Sequence, residues 1–235
     1  MHIKKAAAAC GMAFLLSACG GVQNLDANNL TSAGTSLFKA ATLSDSDIAA
    51  LSNDSCKASD AESKIAAPNS AYAKRLTKVM KGFGDMTLNG QKINYKVYMT
   101  KDVNAWAMGN GCVRVYSGLM DMMNDDELRG VIGHEMGHVA LGHSKKAMQT
   151  AYAVSAARTA AGAASPGVAA LTSSQLGDIT EKFINAQFSQ ANESAADNYS
   201  FDLLTERKLE RKGLVSAFDK LAKLDGGGSG SSLMS

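Results

Sequence analysis

The sequence predicts an α+β domain, mainly helical, with a small three-stranded sheet packed on one histidine-bearing helix. Three observations carry that reading. Alanine is abundant, only two residues are proline and 6% are aromatic, a composition that favours helix. Capping residues followed by apolar positions at helical spacing recur along the chain. Alternating β-rich runs are confined to residues 93–116. With 235 residues and 46% hydrophobic content, the chain can bury one sizeable core even after a leader is set aside.

The elements follow in order. Ser44-Asp45-Ser46-Asp47 reads as a helix cap before an apolar-periodic stretch. Pro68-Asn69-Ser70 opens a second helix, with Tyr72, Leu76, Val79 and Met80 on one face. Gly82, Gly84, Asn89 and Gly90 mark turns. Residues 93–99 and 112–116 alternate as strands. Asn104-Ala105-Trp106-Ala107 reads as a third, closed by a Gly109-Asn110-Gly111 turn. Asn124 caps the next helix, with Glu127 in capping-box position, and Gly142, Lys145 and Lys146 suit its C-terminal end. Residues 145–165 are alanine-rich and broken at Ser165-Pro166-Gly167, and no charge stands between Thr159 and Gly177, a pattern for a hydrophobic hairpin or a mobile active-site flap. A further helix is expected from Asp178 through Phe183, Ile184 and Phe188 towards Tyr199, then short helices near 201–210 and 212–224.

The N-terminus reads as an export signal. Lys4 and Lys5 precede an apolar run, residues 6–16, too short to span a bilayer. Leu16-Ser17-Ala18-Cys19 then resembles a bacterial lipobox, with cleavage before Cys19 and diacylglycerol on its sulfur. Gly20 stands where the usual inner-membrane retention signal has Asp, which implies the periplasmic face of the outer membrane of a Gram-negative cell. The expected organisation is a lipoprotein signal peptide over 1–18, a lipidated tether over 19–44, the folded domain over 45–224 and a flexible Gly/Ser tail over 225–235. Without Lys4 and Lys5 the basic and acidic residues balance, 22 against 22, so nothing suggests a nucleic-acid partner. No uninterrupted apolar run of about 20 residues follows the leader, which argues against a bilayer-embedded protein.

Cys10 leaves with the leader and Cys19 takes the lipid. Cys56 and Cys112 remain, an even pair in an oxidising compartment, so a Cys56–Cys112 disulfide is predicted. Closing that loop contributes about 4 kcal/mol in the chain-entropy model.

The chemistry centres on His134-Glu135-Met136-Gly137-His138. Positions i and i+4 of a helix differ by about 40° around its axis, so both imidazoles can bind one ion. Two neutral nitrogens beside an open position suit zinc, which lowers the pKa of a bound water to about 7. Glu135 is then the general base towards that water. His143, taken about 140° round the same helix from His138, reads as a capping or surface residue. The third ligand is expected to be a carboxylate from another helix. Glu193, with Asp197 one turn later to accept the second N–H of His134, is one candidate; Glu181 and Glu127 compete on spacing alone.

Three segments together resemble the HtpX-like gluzincin peptidases: Asn104–Ala107, then Val131-Ile132-Gly133 leading into His134–His138, then Phe188-Ser189-Gln190-Ala191-Asn192-Glu193-Ser194-Ala195-Ala196-Asp197. That family includes mitochondrial Oma-type and CAAX-prenyl proteases. The similarity runs over nearly the whole chain after Cys19. It implies a zincin fold, zinc ligands His134, His138 and Glu193, catalytic Glu135 and supporting Asp197. It also implies that Asn104, Ala105, Trp106 and Ala107 form an edge strand pairing with extended substrate, which leaves sequence selectivity loose. The implied activity is endopeptidase action on unfolded or misassembled envelope proteins, with an envelope protease or chaperone as a further partner. Relatives usually continue into an Asp-His-Pro segment followed by an arginine; no such motif stands before Ser235, and Tyr199 is only a weak substitute. That departure favours the alternative, a catalytically weak adaptor or chaperone retaining zinc.

Overall fold

The computed structural model describes residues 43–159 and 171–225. The leader, Cys10, Cys19, most of the tether, the Ser165-Pro166-Gly167 break and the tail from 226 lie outside the described residues.

Local signals place most elements. Helix α1 (Asp45–Glu62) starts with a capping box in which Asp47 N–H donates to the Ser44 hydroxyl and Ser44 N–H donates to the Asp47 carboxylate. Helix α2 (Ala71–Lys81) is capped by Ser70. Strands β1 (Thr87–Leu88) and β2 (Gln91–Lys92) form a small hairpin turned by Asn89 and Gly90, both at positive φ. The sequence marks that turn but not its strands, since two residues per strand show no alternation.

Strands β3 (Asn94–Tyr98), β4 (Ala105–Ala107) and β5 (Cys112–Tyr116) form the expected three-stranded sheet, in the order β3-β5-β4. Strand β3 runs parallel to β5 and β4 antiparallel, so β5 is central and β4 is an edge. Gly111, at φ +78°, makes the β4–β5 turn; a Cβ there would come within 2.6 Å of the Lys92 carbonyl oxygen.

Helix α3 (Ser117–Met122) leads into α4 (Asp125–Ala140), the histidine helix. Its capping box is the expected one: the Asn124 side chain accepts from the N–H groups of Asp126 and Glu127, and Glu127 accepts from Asn124 N–H at 2.8 Å. The helix ends sooner than Lys145 and Lys146 suggest. Gly142, at φ +78°, reverses the chain, and a new helix, α5 (His143–Thr159), begins. The alanine-rich stretch is helix up to Thr159, and the Ser165-Pro166-Gly167 break on which a hairpin or flap is expected lies outside the described residues. The helical pattern from Asp178 towards Tyr199 is likewise two helices. Helix α6 (Ser173–Ile184), boxed by Thr172 and Gln175, stops at Asn185, and α7 (Gln190–Glu206) restarts on a Ser189 cap. The expected helix at 201–210 is the end of α7, closed by a turn with Lys208 at φ +56°. Helix α8 (Lys212–Asp225) completes the described chain. None of the described helices is long and apolar enough to cross a membrane.

Helix α4 is the centre of the main core. Leu128, Val131, Ile132 and Met136 are fully buried between Val113 and Val115 of the sheet and Leu203, Leu204, Leu214 and Leu221 of α7 and α8. Burying each such side chain stabilises the fold by roughly 1.5–3 kcal/mol. The opposite face of the sheet, with Tyr98, Trp106 and Cys112, packs on α1, α5 and α6 through Ile48, Leu51, Met148, Ile179 and Phe183. Strand β5 is thus buried on both faces, odd positions to one core and even positions to the other. The predicted Cys56–Cys112 disulfide is present and ties α1 to β5.

Helices α4 and α7 approach closely because α4 carries glycine where they touch. A Cβ at Gly133 would lie 2.5 Å from Ser200 Oγ, and one at Gly137 would lie 3.0 Å from the Ala196 carbonyl oxygen. That approach brings the first turn of α7 over the histidines of α4.

Candidate active site

His134 and His138 lie one turn apart on α4, both buried, with their Nε2 atoms 3.0 Å apart. Glu193, in the first turn of α7, places Oε2 3.2 Å from His134 Nε2 and 3.7 Å from His138 Nε2. Among the described residues these three form the group able to hold a metal ion, with ligand atoms all within 4.8 Å of one another. Tetrahedral ligands with bonds of about 2.0–2.1 Å sit about 3.3 Å apart, and the three separations bracket that value. Two imidazoles and one carboxylate, with lone pairs converging on one point, are a donor set that fits zinc.

The competitors for the third position are elsewhere. Glu127 is occupied in its capping box and by Lys220 Nζ at 2.7 Å. Glu181 lines separate cavities beside α6.

Asp197, one turn after Glu193, accepts the Nδ1–H of His134 at 2.8 Å. That bond leaves the Nε2 lone pair facing the other two donors. Burial works against a charged His134, but the Asp197 and Glu193 carboxylates outweigh it and hold its pKa up to about 9. Burial likewise opposes the Glu193 carboxylate, and the two histidines pull its pKa down to about 2. The two shifts share one cause, the contact between the His134 ring and the Glu193 carboxylate. Glu135 follows His134 directly and lines the same cleft; burial raises its pKa.

Asn104, Ala105, Trp106 and Ala107 line the same cleft. Asn104 immediately precedes β4, and all four residues are buried. The ladder pairs Trp106 with Arg114, flanked by bonds from Tyr116 N–H to the Asn104 carbonyl and from Met108 N–H to the Cys112 carbonyl. The backbone groups of Ala105 and Ala107 therefore face the free edge. Ser144 Oγ already donates to the Ala107 carbonyl at 3.2 Å.

Two features escape the sequence reading. The end of α6 and the segment after it, with Phe183, Ile184, Ala186 and Phe188, cover the cleft and leave it a cavity of only about 40 Å³. Phe188 stacks on His138 with ring centres 4.1 Å apart. His143 is the second feature, and its reading is corrected: it does not face away but sets Nδ1 3.1 Å from His138 Nδ1. The angular argument fails because Gly142 ends α4 before His143 is reached. Tyr199 packs against the main core near Gly137 and does not line the cleft.

A His-Glu-x-x-His helix crossed by a second helix bearing a carboxylate is the arrangement of a metallopeptidase centre. The comparisons agree. The family model for peptidase family M48 matches residues 70–235. The chain is 54% identical to the metalloprotease YcaL of Escherichia coli over 215 residues, covering 92% of this chain and 84% of YcaL. It is 52% identical to the metalloprotease LoiP of the same organism over 227 residues, covering 97% of this chain and 88% of LoiP. A shorter match, 48% over 50 residues, links 20% of this chain to 17% of the protease HtpX of Thioalkalivibrio sulfidiphilus. The chain belongs to peptidase family M48 and is a metalloprotease.

Proposed function

We propose that this metalloprotease is a zinc endopeptidase of the cell envelope, hydrolysing peptide bonds in unfolded or misassembled envelope proteins. The observation that carries the reading is the convergence of His134 Nε2, His138 Nε2 and Glu193 Oε2 beside Glu135 and the free edge of β4.

In this reading His134, His138 and Glu193 hold the ion, and Asp197 fixes the ring of His134 through Nδ1. Zinc bound there supplies a Lewis acid that acidifies water and polarises a carbonyl. Glu135 takes the proton of the attacking water as oxygen bonds to the scissile carbonyl carbon. It returns that proton to the nitrogen as the C–N bond breaks, leaving an acid and an amine. Its raised pKa suits a group that must both accept and release a proton. The N–H and C=O of Ala105 and the N–H of Ala107 pair with an extended peptide, so any unfolded strand is a substrate.

Cys19 bears the lipid in this proposal, holding the domain on the periplasmic face of the outer membrane, where misassembled proteins are met. An envelope chaperone or second protease is the partner expected to present them.

The test uses casein as the unfolded substrate. Glu135→Gln is expected to keep one zinc per chain and the wild-type melting temperature while losing cleavage. His134→Ala is expected to lose both zinc and cleavage. Casein cut by Glu135→Gln at the wild-type rate would remove Glu135 as the base. Stoichiometric zinc retained in His134→Ala would move the metal elsewhere. Intact binding of casein without cutting, equal with and without a chelator, would favour the adaptor reading.

A further inference from the structure

We propose that His143 is the positioning residue for His138, doing for that ligand what Asp197 does for His134. The inference rests on the reading of His134, His138 and Glu193 as metal ligands.

The two histidines of α4 are alike in one respect and different in another. Each turns Nε2 towards the same point, 3.0 Å from the other, and each must then carry its proton on Nδ1. For His134 the acceptor is the Asp197 carboxylate. For His138, the hydrogen-bond partner of Nδ1 among the described residues is His143 Nδ1, at 3.1 Å. One nitrogen of such a pair donates and the other accepts. If His138 donates, the lone pair on His143 Nδ1 receives the bond and the proton of His143 sits on its Nε2.

The surrounding packing holds that geometry. Gly142 reverses the chain at φ +78°, with its N–H bonded to the Val139 carbonyl, so His143 opens α5 and turns back over His138. The two rings meet at 63° with centres 5.2 Å apart. Phe188 stacks almost parallel on His138, so the ring is fixed by a flat apolar contact and by an edge hydrogen bond. His138 is 3% exposed, so its Nδ1–H cannot turn to bulk water for a partner. His143 also lines a groove of about 800 Å³ between α5 and α6. The orientation of one ligand is thereby tied to the helix that forms one wall of that groove.

Two variants of the full chain test this. His143→Phe keeps an aromatic ring and removes the acceptor. His143→Asn restores an acceptor oxygen in the position of Nδ1. The zinc dissociation constant is measured by competition with a fluorescent chelator. The slowly exchanging imidazole N–H of zinc-loaded His138 is followed by proton NMR, and melting temperature checks the fold. His143→Phe is expected to bind zinc 10- to 100-fold more weakly and to lose the downfield N–H signal. His143→Asn is expected to recover affinity to within about threefold of wild type and to keep the signal. Wild-type zinc affinity in folded His143→Phe, or His143→Asn behaving like an acceptor-less variant, would overturn the proposal. If His143→Phe does not fold, the Asn variant decides alone. A wild-type protein that takes up no stoichiometric zinc would instead remove the ligand reading on which the proposal stands.

Discussion

At the scale of single residues, the site depends on which nitrogen of each histidine holds its proton. Asp197 accepts from His134 Nδ1 at 2.8 Å, although the carboxylate itself is nearly half exposed. An exposed carboxylate adds little as a charge, but as a hydrogen-bond acceptor it selects one tautomer of a buried ring. Asp197→Ala is therefore expected to weaken zinc binding 10- to 100-fold with little change in melting temperature, measured by chelator competition and calorimetry. Unchanged zinc affinity would show that burial alone orients His134. The one-turn spacing of Glu193 and Asp197 makes this pairing a candidate, but on spacing alone Glu181 and Glu127 compete, and only the resemblance of residues 188–197 to the HtpX-like peptidases singles it out. The place of His143 is not legible, for a reason the sequence itself contains. Gly142 marks the end of α4, so an angle of 100° per residue does not extend to His143. Helical geometry stops at the left-handed residue, and beyond it only the path of the chain says where a side chain goes.

At the scale of elements, three pieces meet at the cleft: α4 with its histidines, α7 with its carboxylates, and the edge strand β4. Capping boxes announce α1 and α4 because their partners are three residues apart in sequence. The break at 185–189 is silent because Phe183, Ile184 and Phe188 continue a helical spacing straight across it, and only Ser189 hints at a new start. The missed break matters, since that segment covers the cleft and the Phe188 ring lies on His138. A cavity of about 40 Å³ holds no peptide, so substrate pairing with β4 requires the end of α6 and its following segment to shift. The pairing itself has a clean test. The N–H of Ala105 faces the free edge and is not part of the β4–β5 ladder, and Ala105 is the first residue of its strand, where proline is tolerated. Ala105→Pro is expected to raise KM for casein about fivefold, the loss of one hydrogen bond worth about 1 kcal/mol, with zinc content unchanged. An unaltered KM in a folded, zinc-loaded variant would mean that substrate does not run along this edge.

At the scale of the whole molecule, the edge strand is held in place by a polar cluster on the far face of the sheet. Arg114 of β5 is 1% exposed and forks onto Asp60 of α1 through Nε at 2.8 Å and Nη2 at 2.9 Å. Its guanidinium sits 6.0 Å from the centres of both the Tyr98 and Trp106 rings, which themselves pack edge to face 6.0 Å apart, beside the Cys56–Cys112 disulfide. Lys96 and the Tyr98 hydroxyl also donate to Asp60. Burial resists the Asp60 charge, but these donors win and lower its pKa from 3.8 to about 2. The sign follows from linkage. The folded state favours the ionised carboxylate, so the stabilisation is fully present above about pH 4 and is lost as the pH falls towards 2. Its size is about 2 kcal/mol. Asp60→Asn removes that dependence and also strands a buried guanidinium, a loss of roughly 3–5 kcal/mol when one partner of a buried pair is deleted. The expected result is a lower denaturation midpoint at neutral pH and a flatter decline of stability between pH 4 and pH 2, both read from urea titrations at stepped pH. Zinc affinity, set by α4 and α7 on the opposite face, should stay within a few-fold of wild type while casein cleavage falls, because Trp106 stands between the cluster and the substrate edge. A variant whose acid-side stability slopes as steeply as wild type would place that acid sensitivity in some other carboxylate.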